Sequence, residues 1–301
     1  MKLKIGSRKS RLALWQSRCI ANLLRQAHDD IDVEIVTMLT TGDRRGDEPL
    51  PSIGAKGLFT AELEQALLKD DIDLAVHSLK DLPSTLPEGL EYAGSPERAS
   101  ATDAFISLEF DSVEDLPEGA TVATGSQRRR SQLLHHRPDL EMVNLRGNID
   151  TRLAKLESQG HGAIIMATAA LERLEMPERI TAELDPTQYV PAISQGAMGI
   201  ETRIGRDDVA EILAPILDDT TVAAVSAERS FMRRLEGGCS VALGAYCRRA
   251  GVGGWSFFGW ASSTDGSDVL HDHKTGADPK KLADDMAQDF LDRGARDLLH
   301  S

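Results

Sequence analysis

The sequence predicts two α/β domains in succession and a smaller α+β domain after them. Three observations predict it. Strand-like and helix-like segments alternate through the first two thirds of the chain, the alternation restarts after a polar stretch at 94–103, and from about residue 219 it gives way to a helix followed by hairpin-spaced strands. At 301 residues the chain exceeds what one core normally supports, so two or three domains are expected.

In order along the chain, residues 3–6 read as a short strand, and Leu12, Trp15, Cys19 and Leu23 then recur at helical spacing. Residues 33–39 are β-branched and strand-like, "LFTAELEQALL" (58–68) is an amphipathic helix, and "DLAVHS" (73–78) is a buried strand. In the second part, "TVATG" (121–125) reads as a strand and "SQRRRSQLLHHR" (126–137) as a helix with Ser126 at its N-cap. "EMVNL" is a strand, "IDTRLAKLES" a helix, and "HGAIIMATAAL" a strand running into a helix; "YVPAISQGAMGIE" (189–201) looks like a return connection. The third part opens with the helix "VAAVSAERSFMRRL", closed by Gly237 and Gly238. Strands "VALGAYC", "GWSFFGWASS" and "VLHDH" follow with a turn at "TDGSD", and one amphipathic helix (279–299) ends the chain.

Composition limits the function classes. Apolar residues at 41% and charged residues at 27% are ordinary for a globular protein. A net charge of −14 argues against a general nucleic-acid binder and makes any local cluster of cations informative. Cys19, Cys239 and Cys247 have neither disulfide-framework nor zinc-site spacing, which suits a reducing compartment, and no metal site is expected. The basic start of the chain runs into "LALWQSRCI", which is too polar for a signal peptide, and the apolar run at 163–171 is too short to cross a bilayer. A cytoplasmic protein without membrane partners is the expectation.

Three segments hold chemistry-bearing groups. Between Thr121 and Lys155 stand seven Lys or Arg and three Asp or Glu. Arg128 and Arg129 follow a helix start, Arg146 follows a strand, and Arg152 lies on the next helix. In open α/β sheets ligands bind beyond the carboxyl ends of strands, where helix N-termini favour anions and Arg forks fit carboxylate or phosphate. The reading is a pocket for a small polyanion; a solvated helix face with surface ion pairs has equal standing on the charge run alone. Arg8 with Ser10, opening a helix after a strand, repeats the geometry and tilts the balance toward a pocket. In "VHSLKDLP" (76–83) a buried strand ends in His77, Lys80 and Asp81, where Asp81 can serve as acid, base or cation stabiliser, or simply pair with Lys80. His77 taken alone reads as a hydrogen-bonded core histidine. In "LEGGCSV" Cys239 follows two glycines at a helix end, as an accessible attachment point or nucleophile, or as a small buried corner residue. "SIGAKGLF" (52–59) is a loop whose Lys56 can meet an anion, but it lacks P-loop order, and no dinucleotide fingerprint follows any strand.

Taken together these segments resemble the porphobilinogen deaminase family. The resemblance runs in order through "SRKSRLALWQ", "TTGD", "GAKGLFTAELE", "DLAVHSLKDLP", "DAF", "ATGSQRRRSQL", "LRGNIDTRL", "AALERL", "SQGAMGIE" and "LEGGCSVALGAY". It implies an enzyme that joins porphobilinogen units head to tail with loss of ammonia and hydrolyses off hydroxymethylbilane. It implies a dipyrromethane cofactor on a thioether to Cys239, with Asp81 as the central catalytic group and Lys80 beside it. The carboxylate-holding positions fall on Arg8, Ser10, Thr124, Ser126, Arg128, Arg129, Arg146, Arg152 and Arg173. Asp43, Lys56, Phe59 and Gln195 match residues of the cleft and its covering loop.

The implied fold is two periplasmic-binding-protein-like α/β domains around a cleft (1–96 with 197–214, and 102–190) plus an α+β domain (219–301) carrying the cofactor Cys. A monomer is expected. The chain departs from the family pattern at Arg11, Ser52, Gly125, Ser240 and Ala242. Two other classes compete: a non-catalytic anion-binding module of the periplasmic type, and a cysteine hydrolase using Cys239 and His77.

Overall fold

The structure is a computed structural model that describes residues 2–42, 60–235 and 241–299. Its strands, in chain order, are β1 (Lys2–Arg8), β2 (Asp32–Met38), β3 (Leu74–Ser78), β4 (Leu90–Gly94), β5 (Asp103–Ile106), β6 (Thr121–Ala123), β7 (Glu141–Val143), β8 (Ala163–Ala167), β9 (Ala182–Glu183), β10 (Met198–Arg203), β11 (Leu243–Ala250), β12 (Gly254–Ser262) and β13 (Val269–Gly276). They fall into two compact units, residues 1–99 with 197–222, and residues 100–196 with 223–301.

The first unit is a five-stranded sheet in the order β2-β1-β3-β10-β4. β1 is parallel to β2 and β3, as the βαβ pattern requires, while β10 runs antiparallel to both its neighbours. Helix Arg11–Ala27 covers one face, where Ile20, Ala21 and Leu24 pack on Leu3, Ile5, Leu74 and Val76. Its most buried positions are Ala13, Gln16, Ser17, Ile20, Ala21 and Leu24. The stripe of Leu12, Trp15, Cys19 and Leu23 is only partly buried, because the face turned to the sheet is rotated toward small and polar residues that let the helix sit close. Helix Ala61–Leu68 covers the other face, with Leu63, Ala66 and Leu67 against Ile72, Ala75 and Leu90.

The second unit repeats this plan in the order β7-β6-β8-β5-β9, with β6 parallel to β7 and β8, and β5 antiparallel to β8. The fourth strand of each sheet thus runs against the first three, which the expectation of a mainly parallel sheet did not include. In the same unit β11, β12 and β13 form an antiparallel sheet. Helices Asp219–Arg234 and Pro279–Asp292 pack on it through Phe231, Met286 and Phe290 against Phe257 and Ala261. The C-terminal segment is two helices, not one: Gly294, at φ +87, separates Pro279–Asp292 from Ala295–Leu299.

Candidate functional site

Each mixed sheet ends in a polar pocket at the carboxyl ends of its parallel strands. In the first unit β1 ends at Arg8 and β3 at Ser78, and Ser10 caps the intervening helix by accepting a hydrogen bond from the Ala13 N–H at 3.3 Å. A small pocket of about 60 Å³ lies there, lined by Arg8, Ser10, Gln16, Thr60, His77, Ser78 and Asp81 among others. Gln16 ties helix to strand by donating from Nε2 to Ser78 Oγ at 2.9 Å. Asp81 stands in a single 3₁₀ turn, Leu79–Asp81, held by the buried side chains of Leu79 and Leu82, with its carboxylate exposed. Lys80 is in the same turn but is not among the lining residues. His77 is a hydrogen-bonded buried histidine: its Nε2 lies 2.9 Å from Glu201 Oε2, within the hydrogen-bonded pair β3–β10.

In the second unit β6 and β7 end side by side. A larger cavity, about 320 Å³, is lined by Thr124, Gly125, Ser126, Gln127, Arg130, Asn144, Arg146 and Thr264. Ser126 caps helix Gln127–His136, which points its free N–H groups toward this cavity. A Cβ on Gly125 would stand 2.7 Å from the Leu145 carbonyl oxygen, so the close approach of the two strand ends explains why glycine occupies this position. Arg130 donates to the Met142 carbonyl at 3.2 Å, and among the described residues no carboxylate pairs with the side chains of Arg130 or Arg146. The cavity therefore offers guanidinium, hydroxyl and amide donors with no counter-charge among its described lining residues.

The run of three arginines splits. Arg128 and Arg129 do not line this cavity; both turn inward onto Asp103, which is 1% exposed. Arg128 donates to Asp103 Oδ2 at 2.8 Å and to the Val190 carbonyl, and Arg129 donates through Nε and Nη2 to Asp103 Oδ1 at 2.9 and 2.7 Å. Gln195, fully buried, joins the same cluster by donating to Asp103 Oδ1 and to the Ala101 carbonyl. Burial opposes ionisation of Asp103, but the two guanidiniums outweigh it and hold the carboxyl far below the ordinary range. Arg152 donates to the Gly147 carbonyl at 2.8 Å, and Arg173 is buried and donates to the Gly196 carbonyl at 2.6 Å. Arg130, Asn144, Gln16, Thr264, Asp103 and Glu201 are the polar groups that sequence reasoning did not single out. A tilt toward helix-start arginines does not tell which of three consecutive ones faces outward; the helical turn and the acid in "DAF" decide it. Asp43, Lys56, Phe59 and Cys239 lie outside the described residues.

Fold and pockets together define a mixed α/β protein with a donor-rich polar pocket at the strand ends of each unit, one of which also carries a carboxylate. Comparison with known proteins makes this particular. The model described as "Porphobilinogen deaminase, dipyromethane cofactor binding domain" matches residues 3–211, and "Porphobilinogen deaminase, C-terminal domain" matches residues 222–292. Porphobilinogen deaminase of Halalkalibacterium halodurans is 44% identical over 99% of this chain and 96% of its own length. That of Syntrophobacter fumaroxidans is also 44% identical, with the same coverage. The chain belongs to the porphobilinogen deaminase family. Among solved structures, the VFT2 domain of Bordetella pertussis BvgS aligns with 76% of this chain and 92% of its own, at 16% identity and a TM-score of 0.42.

Proposed function

We propose that this chain polymerises porphobilinogen head to tail, releasing ammonia at each addition and hydroxymethylbilane by hydrolysis, as a transferase of tetrapyrrole (haem-type) biosynthesis. Family membership over nearly the whole chain carries the reading, and the two pockets suit it. The substrate brings carboxylates, and the cavity at Thr124, Ser126, Arg130, Asn144 and Arg146 is a donor set without its own acid.

The same donor chemistry fits dipyrromethane, itself a carboxylate-bearing dipyrrole. Cys239 would anchor it through a thioether, and Ser126, Thr124 and Arg146 would hold its carboxylates. When bound it supplies a nucleophilic pyrrole α-carbon to which units are added.

The chain's residues do the rest. Arg8 and Ser10 receive substrate carboxylate at a helix N-terminus. Asp81, exposed in the same pocket, stabilises the positive charge that develops on the pyrrole as nitrogen leaves. The arginines fix the positions of reacting carbons and so lower the entropic part of the barrier. Arg128, Arg129 and Gln195 act at one remove, by fixing the helix that presents Ser126 and Arg130. Arg152 and Arg173 complete the carboxylate-binding set, with Lys80 beside Asp81 and with Asp43, Lys56 and Phe59 in the covering loop.

We read the protein as three domains (1–96 with 197–214, 102–190 and 219–301), a cytoplasmic monomer with no nucleic-acid or membrane partner. The net charge of −14 and three cysteines without pairing spacing support that reading, and no described helix is long and apolar enough to cross a membrane. Purified protein given porphobilinogen should release one ammonia per substrate consumed and yield hydroxymethylbilane. Binding of porphobilinogen without ammonia release would point instead to the non-catalytic anion-binding module.

A further inference from the structure

The larger cavity is walled by two parts of the chain that lie far apart in sequence. Thr124, Ser126, Arg130, Asn144 and Arg146 come from the ends of β6 and β7 and from the helix that follows β6, whereas Thr264 comes from the turn between β12 and β13. Both parts belong to the second compact unit.

The turn is rigid through its own side chains. The Ser263 N–H donates to the Asp268 carbonyl at 3.0 Å, and the Asp268 N–H donates to Ser263 Oγ at 3.1 Å. Asp265 Oδ1 accepts from Ser263 Oγ at 2.6 Å, from the Ser267 N–H at 3.1 Å and from Ser267 Oγ at 2.9 Å. These bonds, the one from Ser263 foremost, hold the Asp265 carboxyl down at about 2 and engage its charge within the turn. Gly266, at φ +73, lies against helix Gln127–His136, where a Cβ would collide with the Ser131 carbonyl oxygen. The turn is thereby seated on the helix next to Arg130, and Thr264, two residues before Gly266, lines the cavity.

On the helix, Arg130 stands one turn beyond Ser126. Its N–H donates to the Ser126 carbonyl at 3.0 Å, so the two residues share a face. Arg128 and Arg129 are engaged by Asp103, whereas the Arg130 guanidinium has the Met142 carbonyl and, among the described residues, no acid. Each ring of a dipyrromethane carries an acetate and a propionate arm. One guanidinium fork holds one carboxylate in bidentate geometry, so the two arms of a ring call for two forks. The cavity has Arg146 and Arg130.

We infer that the larger cavity holds two carboxylates separately: Arg146 with Thr124 and Ser126 takes one, and Arg130 with Thr264 takes the other, which makes the β12–β13 turn part of the cofactor-binding site. This deepens the function proposed above and rests on it. A single covalent tether leaves a ring free to rotate, whereas two separate carboxylate contacts fix its plane and the direction in which it is presented.

The test uses the full, loaded chain with ¹³C in the carboxylate carbons of its cofactor, followed by ¹³C NMR across a pH titration. Arg130→Gln should make one carboxylate resonance titrate about one pH unit higher, because an adjacent cation has been removed. Thr264→Val should move that same resonance upward by less, and Thr264→Ser should restore it. Arg146→Leu should move a different resonance. Thr264 is exposed and valine keeps its shape, so Thr264→Val reads the position even where Arg130→Gln loads no cofactor. The inference is overturned if Thr264→Val leaves every carboxylate resonance at its wild-type position, or if Arg130→Gln and Arg146→Leu move the same one. A wild-type chain at its bare sequence mass would instead overturn the function proposed above, and this inference with it.

Discussion

The two strand-end pockets are built alike and charged differently. Each lies where two neighbouring parallel strands end, β1 and β3 in one unit, β6 and β7 in the other, beside a helix capped by serine, Ser10 or Ser126. In the first, Arg8 shares the space with Asp81 and His77 in about 60 Å³. In the second, about 320 Å³ is lined by Arg130, Arg146 and neutral donors, with no acid among the described lining residues. Under the function proposed above, one backbone plan that favours anions would serve two purposes: the small mixed-charge pocket as the reacting centre, and the large cationic one as the holder of carboxylates that do not react. What separates them is side-chain chemistry placed on a repeated fold.

The sharpest way to break this contrast is to remove the acid that belongs to neither pocket. Asp103→Ala leaves Arg128 and Arg129 buried without their counter-charge, and should cost about 3–5 kcal/mol of stability. Thermal or denaturant unfolding measures it; a loss under about 1 kcal/mol would mean that the cluster is hydrated and does not hold the second helix. Next in size is Asp81→Asn. This change preserves shape, and turnover should fall about a hundredfold, equivalent to about 2.7 kcal/mol of transition-state stabilisation, with little change in melting temperature. A folded variant with near-normal turnover would strip the small pocket of its reacting role.

Arg146→Leu and Arg130→Gln should act on the larger pocket with smaller effects, within about 0.5 kcal/mol on stability because the side chains are solvent-facing and unpaired with acids. Native mass spectrometry after brief exposure to porphobilinogen should show enzyme stalled with partial chains. An intermediate distribution matching the wild type in both variants would return these arginines to the solvated-face reading. The smallest expected effect is on acid stability. His136 and His271 are both lowered in pKa, first by burial and then by neighbouring histidines, where helix Gln127–His136 meets the antiparallel sheet. Between the lowered folded value and the ordinary value of about 6.5, the unfolded chain binds more protons. Their contribution is therefore full above about pH 6.5 and is lost as pH falls below it. His271→Gln should shrink the drop in melting temperature between neutral pH and about pH 5.5; an unchanged drop would show that the ring is hydrated.

Much of this was legible in the sequence because it depends on local pattern. The βαβ rhythm, the Ser126 cap, the antiparallel strands after 243 and the strand-end placement of Asp81 all follow from spacing within a few residues. What was not legible depends on distant partners. Whether Arg128, Arg129 or Arg130 faces outward is set by Asp103, twenty-five residues away from Arg128 in the chain. The His77–Glu201 pair spans 124 residues and exists only because β10 inserts beside β3. Gln195, expected at the cleft, is claimed by the same buried acid. The C-terminal break at Gly294 was visible as a glycine, but its backbone sign, φ +87, was not.

The most direct test of the central claim is the intact mass of the purified chain. A deaminase that anchors dipyrromethane on Cys239 should weigh more than its sequence by one dipyrrole, and Cys239→Ala should weigh its sequence alone and be inactive. A wild-type chain at its bare sequence mass that nevertheless turns over porphobilinogen would contradict the account.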